Sequence, residues 1–335
     1  MMKSKLSIST APFLKKKETT PKIMLLVVYT LIPVLGVSFY FFGLSAIVLT
    51  LTAVFSCMFT EWLFNKPEEK MKSLKDGSAL LTGILLALTL PPGFPLWMVF
   101  IGGVVAIGMG KAMWGGLGQN VFNPALLGRA FLQAAFPSAI TTWSPPNGSY
   151  FSFRGTNTAL PFFQGEPVDG MTGATPLAQM KFEYVPTDFM DLLFGNTGGS
   201  LGETCGLLLL LMGFVLVVKK IIKWRIPLAI VLTVVLLSGI FYMIDPQIYP
   251  SPIFMIFSGG MLLGTLYMAT DPVTTPLTAK GGWVFGIGVG ILIVLIRIWG
   301  GLPEGVMYAI LLMNSTTPLI NRFAKTRVYG HKKAK

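Results

Sequence analysis

The chain has 335 residues, 53% of them hydrophobic and only 12% charged, with a formal net charge of +12 and a mean hydropathy of +0.69. A chain so apolar and so poor in charge has no aqueous fold and reads as an integral membrane protein. Its basic residues gather between apolar runs rather than beside aromatics on a polar face, so the charge does not point to nucleic acid. Two cysteines, Cys57 and Cys205, give no disulfide framework. A single histidine, His331, leaves no material for a His-ligated metal or a Ser-His-Asp triad, and no metal site is expected.

The first 22 residues form a basic segment carrying Lys3, Lys5, Lys15, Lys16, Lys17 and Lys22. The apolar run that follows, 23–42, exceeds a signal-peptide core and is long enough to cross about 30 Å of hydrocarbon, so it is a first membrane span. Further apolar runs fall at 44–60, 79–90, 96–114 and 121–136, and after a gap at 201–218, 226–244, 253–270, 283–300 and 303–320. The sequence thus predicts an all-α, polytopic protein of about ten transmembrane helices. It divides into a first five-helix half (23–136), a polar loop (137–200), a second five-helix half (201–320) and a basic tail (321–335). The loop is rich in Pro, Gly, Thr and Asn but also in aromatics, which marks an ordered segment.

With the N-terminus placed inside, every basic residue except Arg129, Arg154, Lys181 and Arg297 falls on the inner side. The positive-inside rule therefore puts both termini in the cytoplasm and the loop 137–200 outside. Cys57 and Cys205 fall in apolar segments and read as small core residues. Trp97, Trp114, Trp143, Trp283 and Trp299, near the span ends, read as an interfacial belt.

The halves are similar. Leu81, Gly83, Leu85, Thr89 and Pro91 match Leu262, Gly264, Leu266, Thr270 and Pro272 in register, and Gly115-Gly116-Leu117 matches Gly300-Gly301-Leu302 after a four-residue shift. A repeated unit with an odd number of crossings is inverted, an arrangement common in transporters. The third and eighth spans each end at a proline, and the third has only about a dozen apolar residues before Pro91-Pro92. They are either half-length helices meeting near the midplane or helices that end in the ordinary way.

Two constellations carry chemistry. In the outward loop, Asp169-Gly170-Met171-Thr172-Gly173-Ala174-Thr175-Pro176 sets Thr175 on a turn: Gly173 and Ala174 leave it uncrowded, and Pro176 stops regular structure. An enzyme could reach that hydroxyl, with Asp169 near enough to orient a metal-bound phosphate donor, although spacing alone fits an ordinary turn. At the start of the fifth span, Gly115 to Arg129 brings together Gln119, Asn120 and Asn123 around three glycines, with Pro124 at a helix start. Amides at that depth either bind a ligand or cap a helix and bond to other helices.

The lone charges have paired readings too. Arg129 either meets an anionic group or snorkels outward. Asp271 with Thr270, Thr274 and Thr275 offers oxygen ligands to sodium, but Asp-Pro followed by Thr-Thr-Pro fits a turn and cap better. Glu61, Glu203 and Glu304 lie near span ends.

The loop segment resembles the flavinylation signature in which the last threonine of Ser/Thr-Gly-Ala-Thr is esterified to the phosphate of FMN by an exported, magnesium-dependent flavin transferase. Here that residue is Thr175, with Thr172 in the first position. The Gly115 to Arg129 stretch resembles the family of the B subunit of the sodium-pumping NADH:quinone oxidoreductase and the D subunit of the Rnf complex. The short segment before the first span looks more like the Rnf member. The resemblance covers nearly the whole chain. It implies an electron-transfer subunit of the bacterial inner membrane, working with other membrane and peripheral subunits to couple ferredoxin and NAD electron flow to sodium or proton transport. It also implies a noncovalent riboflavin, for which Gln119, Asn120, Asn123 and Arg129 are the candidate contacts. No catalytic acid or base is expected from this chain alone. The rival reading is a channel or secondary transporter of the inverted five-helix type, which has no need of Thr175.

Overall fold

The computed structural model describes residues 19–68, 70–146, 150–161 and 175–325. Asp169, Thr172, Gly173, Ala174, His331 and the lysines before residue 19 lie outside the described residues. Within them the molecule is helical, and no strand is formed. The principal helices are α1 (Thr20–Phe42), α2 (Leu44–Phe64), α3 (Ser78–Leu88), α4 (Leu96–Gly108), α5 (Pro124–Ala135), α6 (Gly206–Val218), α7 (Arg225–Ile244), α8 (Pro252–Phe257), α9 (Met261–Leu263), α10 (Ala279–Trp299) and α11 (Val306–Phe323).

Among the described residues five helices are long and apolar enough to cross a membrane: α1, α2, α4 extended to Trp114, α7 and α10. The other predicted spans differ from expectation for local reasons. The fifth, expected from residue 121, begins at Pro124 because Asn123 caps it: its side-chain oxygen accepts from Ala125 N at 3.0 Å and Leu126 N at 3.3 Å. The eighth is not continuous. α8 ends at Ser258, the chain turns through Gly259 at φ +62°, and α9 runs on as a π-helix over Gly264–Met268. A π segment widens the helix and marks a break. α3 has 11 residues and stops at Thr89. The eighth span is therefore broken, whereas α3 is a short regular helix whose end fits either reading.

Irregular backbone in a membrane must find partners within the protein. After α3 it finds them in the loop. Asn157 Nδ2 donates to Pro92 O at 3.0 Å and Phe94 O at 3.1 Å, while Thr156 N donates to Gly93 O and Leu96 N to Asn157 O. Arg154 closes the same end of the bundle, donating to Pro145 O at 2.6 Å and to Phe41 O, at the end of α1, at 2.9 Å. The described part of the loop is thus an ordered cap.

Packing within each half follows one pattern. α2 lies along α4, and α7 along α10. Small residues let these backbones approach: a Cβ on Gly103 would come within 2.5 Å of Ser56 Oγ, one on Gly286 within 2.6 Å of Ala229 Cβ, and one on Gly290 within 2.7 Å of Thr233 Cβ. Without a water-driven hydrophobic force between helices, such close contact is what holds them together. The halves meet where α1 packs on α6, Ser38 Oγ donates to Leu201 O at 2.5 Å, and Asn123 Nδ2 donates to Met268 O at 3.3 Å. Cys57 is fully buried and Cys205 partly so, both as free thiols.

Candidate functional site

A cleft lies between the halves. Its walls are the start of α1 (Ile23, Met24, Val27), one face of α3 (Ser78, Leu81, Thr82, Leu85), the corner from Leu117 to Pro124, Ile221 and Ile222 after α6, and the chain from Leu266 to Val273. The lining is mostly apolar with a few polar groups, as small-molecule sites are.

The amide corner divides here. Gly115, Gly116 and Gly118 all have φ near +100°, a conformation open to glycine, and the turn they make leaves Gln119 exposed while Asn120 and Asn123 point inward. Gln119 is thus not a cleft residue. Asn123 fits the cap-and-bridge reading fully, since both ends of its amide are used. Asn120 does not: its Nδ2 donates to Phe122 O at 3.2 Å, but its buried Oδ1 has no partner among the described residues. An orphaned acceptor on the wall of an apolar cleft fits a ligand that presents an N–H or O–H donor, as a flavin ring does.

Arg129 is buried and pairs with Glu304 on the chain entering α11, so the paired reading holds and snorkelling does not. It faces away from the amide cleft, into a smaller one with Gln133, Trp143 and Tyr308. Glu304 also accepts from Gly260 N at 3.1 Å. Asp271 forms the turn expected of it: its carboxylate accepts from Val273 N at 3.2 Å and from Thr274 Oγ1 at 3.4 Å.

Thr175 departs from expectation. It is only 7% exposed, and its hydroxyl caps the short helix Pro176–Ala178, accepting from Ala178 N at 3.2 Å. The burial has a cause: Leu177 and Met180 pack with Leu192 and Phe254 in a small apolar cluster that docks the segment on the bundle. Lys181 ties it further, donating to Gly300 O at 2.5 Å and Leu302 O at 3.1 Å, and desolvation there lowers its pKa from the usual lysine value. The Gly300-Gly301-Leu302 corner is thus an anchor for the segment that follows Thr175.

Two buried cations escaped the sequence reading, which counted both as loop charges. Lys111 is 5% exposed and Arg297 4%. Lys111 Nζ lies 2.6 Å from Glu61 Oε1 and 2.6 Å from Ser78 Oγ, at the start of α3. Arg297 donates to Met255 O at 2.6 Å and Ser258 O at 2.9 Å, within the break of the eighth span. In sequence each is a lone cation at the end of a long apolar run, and Glu61 is a lone carboxylate near the end of another. Pairing such charges by default would have found Lys111 with Glu61.

Long apolar helices, buried ion pairs and a cleft between two halves are the features of a helical membrane protein. The chain belongs to the NQR2, RnfD, RnfE family, whose profile matches residues 7–330. It is 42% identical to the D subunit of an ion-translocating oxidoreductase complex of Stutzerimonas stutzeri, over 94% of this chain and 93% of that one. It is 40% identical to the D subunit of a Na(+)-translocating ferredoxin:NAD(+) oxidoreductase complex of Acetobacterium woodii, over 98% and 97%. The D subunit of a proton-translocating ferredoxin:NAD(+) oxidoreductase complex of Clostridium ljungdahlii is 38% identical, over 97% and 96%.

Proposed function

We propose that this chain is the D subunit of an Rnf-type ion-translocating ferredoxin:NAD oxidoreductase complex, and that it relays electrons on flavin held at two places. The observation that carries the reading is similarity along nearly the full length to relatives bearing that name. It favours an electron carrier over a channel or solute transporter of similar symmetry. The complex provides the ferredoxin and NAD chemistry, and this chain acts only as part of it.

In this reading the chain crosses the bacterial inner membrane ten times, with both termini in the cytoplasm and the loop 137–200 outside. The halves are inverted repeats. The matching pairs α2 with α4 and α7 with α10 support this, as do Lys111 and Arg297, each set against the start or break of a short span.

FMN is esterified through its phosphate to Thr175 by a flavin transferase that needs magnesium, with Asp169 and the Thr172-Gly173-Ala174 turn forming the recognised signature. A flavin exchanges one or two electrons, and a covalent tether keeps it from diffusing away between transfers. The 7% exposure of Thr175 means the transferase must act before Pro176–Ala178 docks or must lift it. Lys181 and Leu177 then hold the modified segment against the outer end of the bundle. The second flavin, riboflavin, would be held in the cleft, with Asn120 Oδ1 as the acceptor for one of its donors and Leu81, Leu85 and Tyr267 as apolar walls.

The test is in-gel fluorescence. The denatured protein from cells containing the transferase will fluoresce, and Thr175→Ala will be dark. A dark wild-type band contradicts the proposal, and a fluorescent Thr175→Ala band moves the attachment elsewhere.

A further inference from the structure

A second cavity opens beside the segment that carries Lys72, Ser73 and Asp76. Its walls include Thr20, Phe64, Asn65, Lys72, Ser73 and Gly115. It and the cleft between the halves have two residues in common, Lys111 and Leu117. Lys111 therefore stands between a vestibule lined by both acids and bases and the mostly apolar cleft.

Its surroundings form a continuous chain of exchangeable protons. Ser73 Oγ donates to Glu61 Oε1, Lys111 Nζ donates to the same oxygen at 2.6 Å and to Ser78 Oγ at 2.6 Å, and Ser78 Oγ donates to Asp76 Oδ1 at 2.5 Å. Asp76 Oδ2 lies 4.0 Å from Lys111 Nζ. Glu61, Asp76 and Lys72 also line the vestibule, and Asp271 lies on the far wall of the cleft. Glu61 is 2% exposed, yet its Oε2 has no partner among the described residues. That oxygen is a spare acceptor on a residue that lines the vestibule, and a buried acceptor without a partner calls for an explanation.

We propose that Glu61 and Lys111 form a proton relay from the vestibule to the cleft, supplying the proton that accompanies each electron onto the acceptor bound there. Lysine suits the task because its ammonium can give up a proton and its amine can take one back. In the step, an N–H bond of the Lys111 ammonium breaks and an N–H or O–H bond forms on the acceptor. The electron comes from a one-electron carrier of the complex. Glu61, protonated from vestibule water, then returns a proton to the Lys111 amine, so one proton is taken up for one electron. The relay rests on the reading that the cleft holds a reducible flavin.

The experiment uses the purified complex, anaerobic, in weak buffer with a pH-indicator dye. It records proton uptake and flavin bleaching together after mixing with reductant, with Lys111→Arg as the principal variant. Arginine keeps the charge and the pairing to Glu61 but does not give up a proton. The expected result is full noncovalent flavin content with proton uptake at least roughly tenfold slower than in the wild type, the loss expected of a missing proton-transfer group. Uptake at the wild-type rate would overturn the relay and leave Lys111 a structural cation. If Lys111→Arg does not assemble, Glu61→Gln, which keeps the shape of the site, carries the same expectation and the same refutation. Noncovalent flavin absent from the wild-type complex would instead defeat the reading of the cleft, and the relay with it.

Discussion

Asn120 and Asn123 show how neighbouring positions in one corner divide their labour. Asn123 is committed to the backbone on both sides, and its loss would unseat the start of α5. Asn120 has a free acceptor facing the cleft, so Asn120→Leu is expected to leave the fold intact and weaken noncovalent flavin binding. One lost hydrogen bond of about 1 kcal/mol corresponds to roughly fivefold in affinity, measured as flavin retained through gel filtration. Arg129 and Glu304 belong to stability rather than binding. Glu304→Ala leaves a buried guanidinium unpaired at a cost of about 3–5 kcal/mol, so the variant should unfold at a clearly lower temperature in detergent. The sequence placed Arg129 inside a span and named an anionic partner among its alternatives. It had no means of choosing Glu304, because residues 129 and 304 come together only when the halves associate. Gln119 was misplaced for a local reason: the glycines at positive φ turn it outward, and a run of amides in sequence carries no direction.

At the scale of elements, hydropathy located the long helices well, since α1, α2, α7 and α10 are continuous and leave apolar side chains exposed on one side, such as Ile32, Leu51, Leu236 and Val284. It was least informative where backbone departs from regularity, at the end of α3 and across α8 and α9. There the partners are supplied by distant segments such as Asn157, which no local window contains. The glycines of α10 are a feature that sequence marks and packing explains. A Cβ at Gly286 would lie 2.6 Å from Ala229 Cβ and 2.9 Å from Ile226 O. Gly286→Val should therefore force α7 and α10 apart, with overpacking of about 1–3 kcal/mol read as reduced thermal stability and protein yield. The same substitution at Gly116, which has nothing within 4 Å but a φ of +102°, should strain the backbone without a steric clash.

For the whole molecule, the orientation came from basic residues in loops, and two of those counted, Lys111 and Arg297, are buried in the bundle. Lys111 had been counted inside and Arg297 outside, so the proposed orientation rests on the clusters at 66–75 and 219–225. It can be tested directly with single cysteines in a background lacking the native thiols. A cysteine at Phe151, a residue 89% exposed on the loop, should react with an impermeant thiol reagent added to whole cells opened only at the outer membrane, whereas one at Lys66 should react only in inverted vesicles. The opposite pattern would turn the molecule over. Mass spectrometry of the intact protein tests the central claim, covalent flavin on Thr175, most directly. The chain from cells with the flavin transferase should be heavier by one FMN less one water than the chain from cells without it, and fragmentation should place the increment on Thr175. Identical masses from the two sources would contradict it.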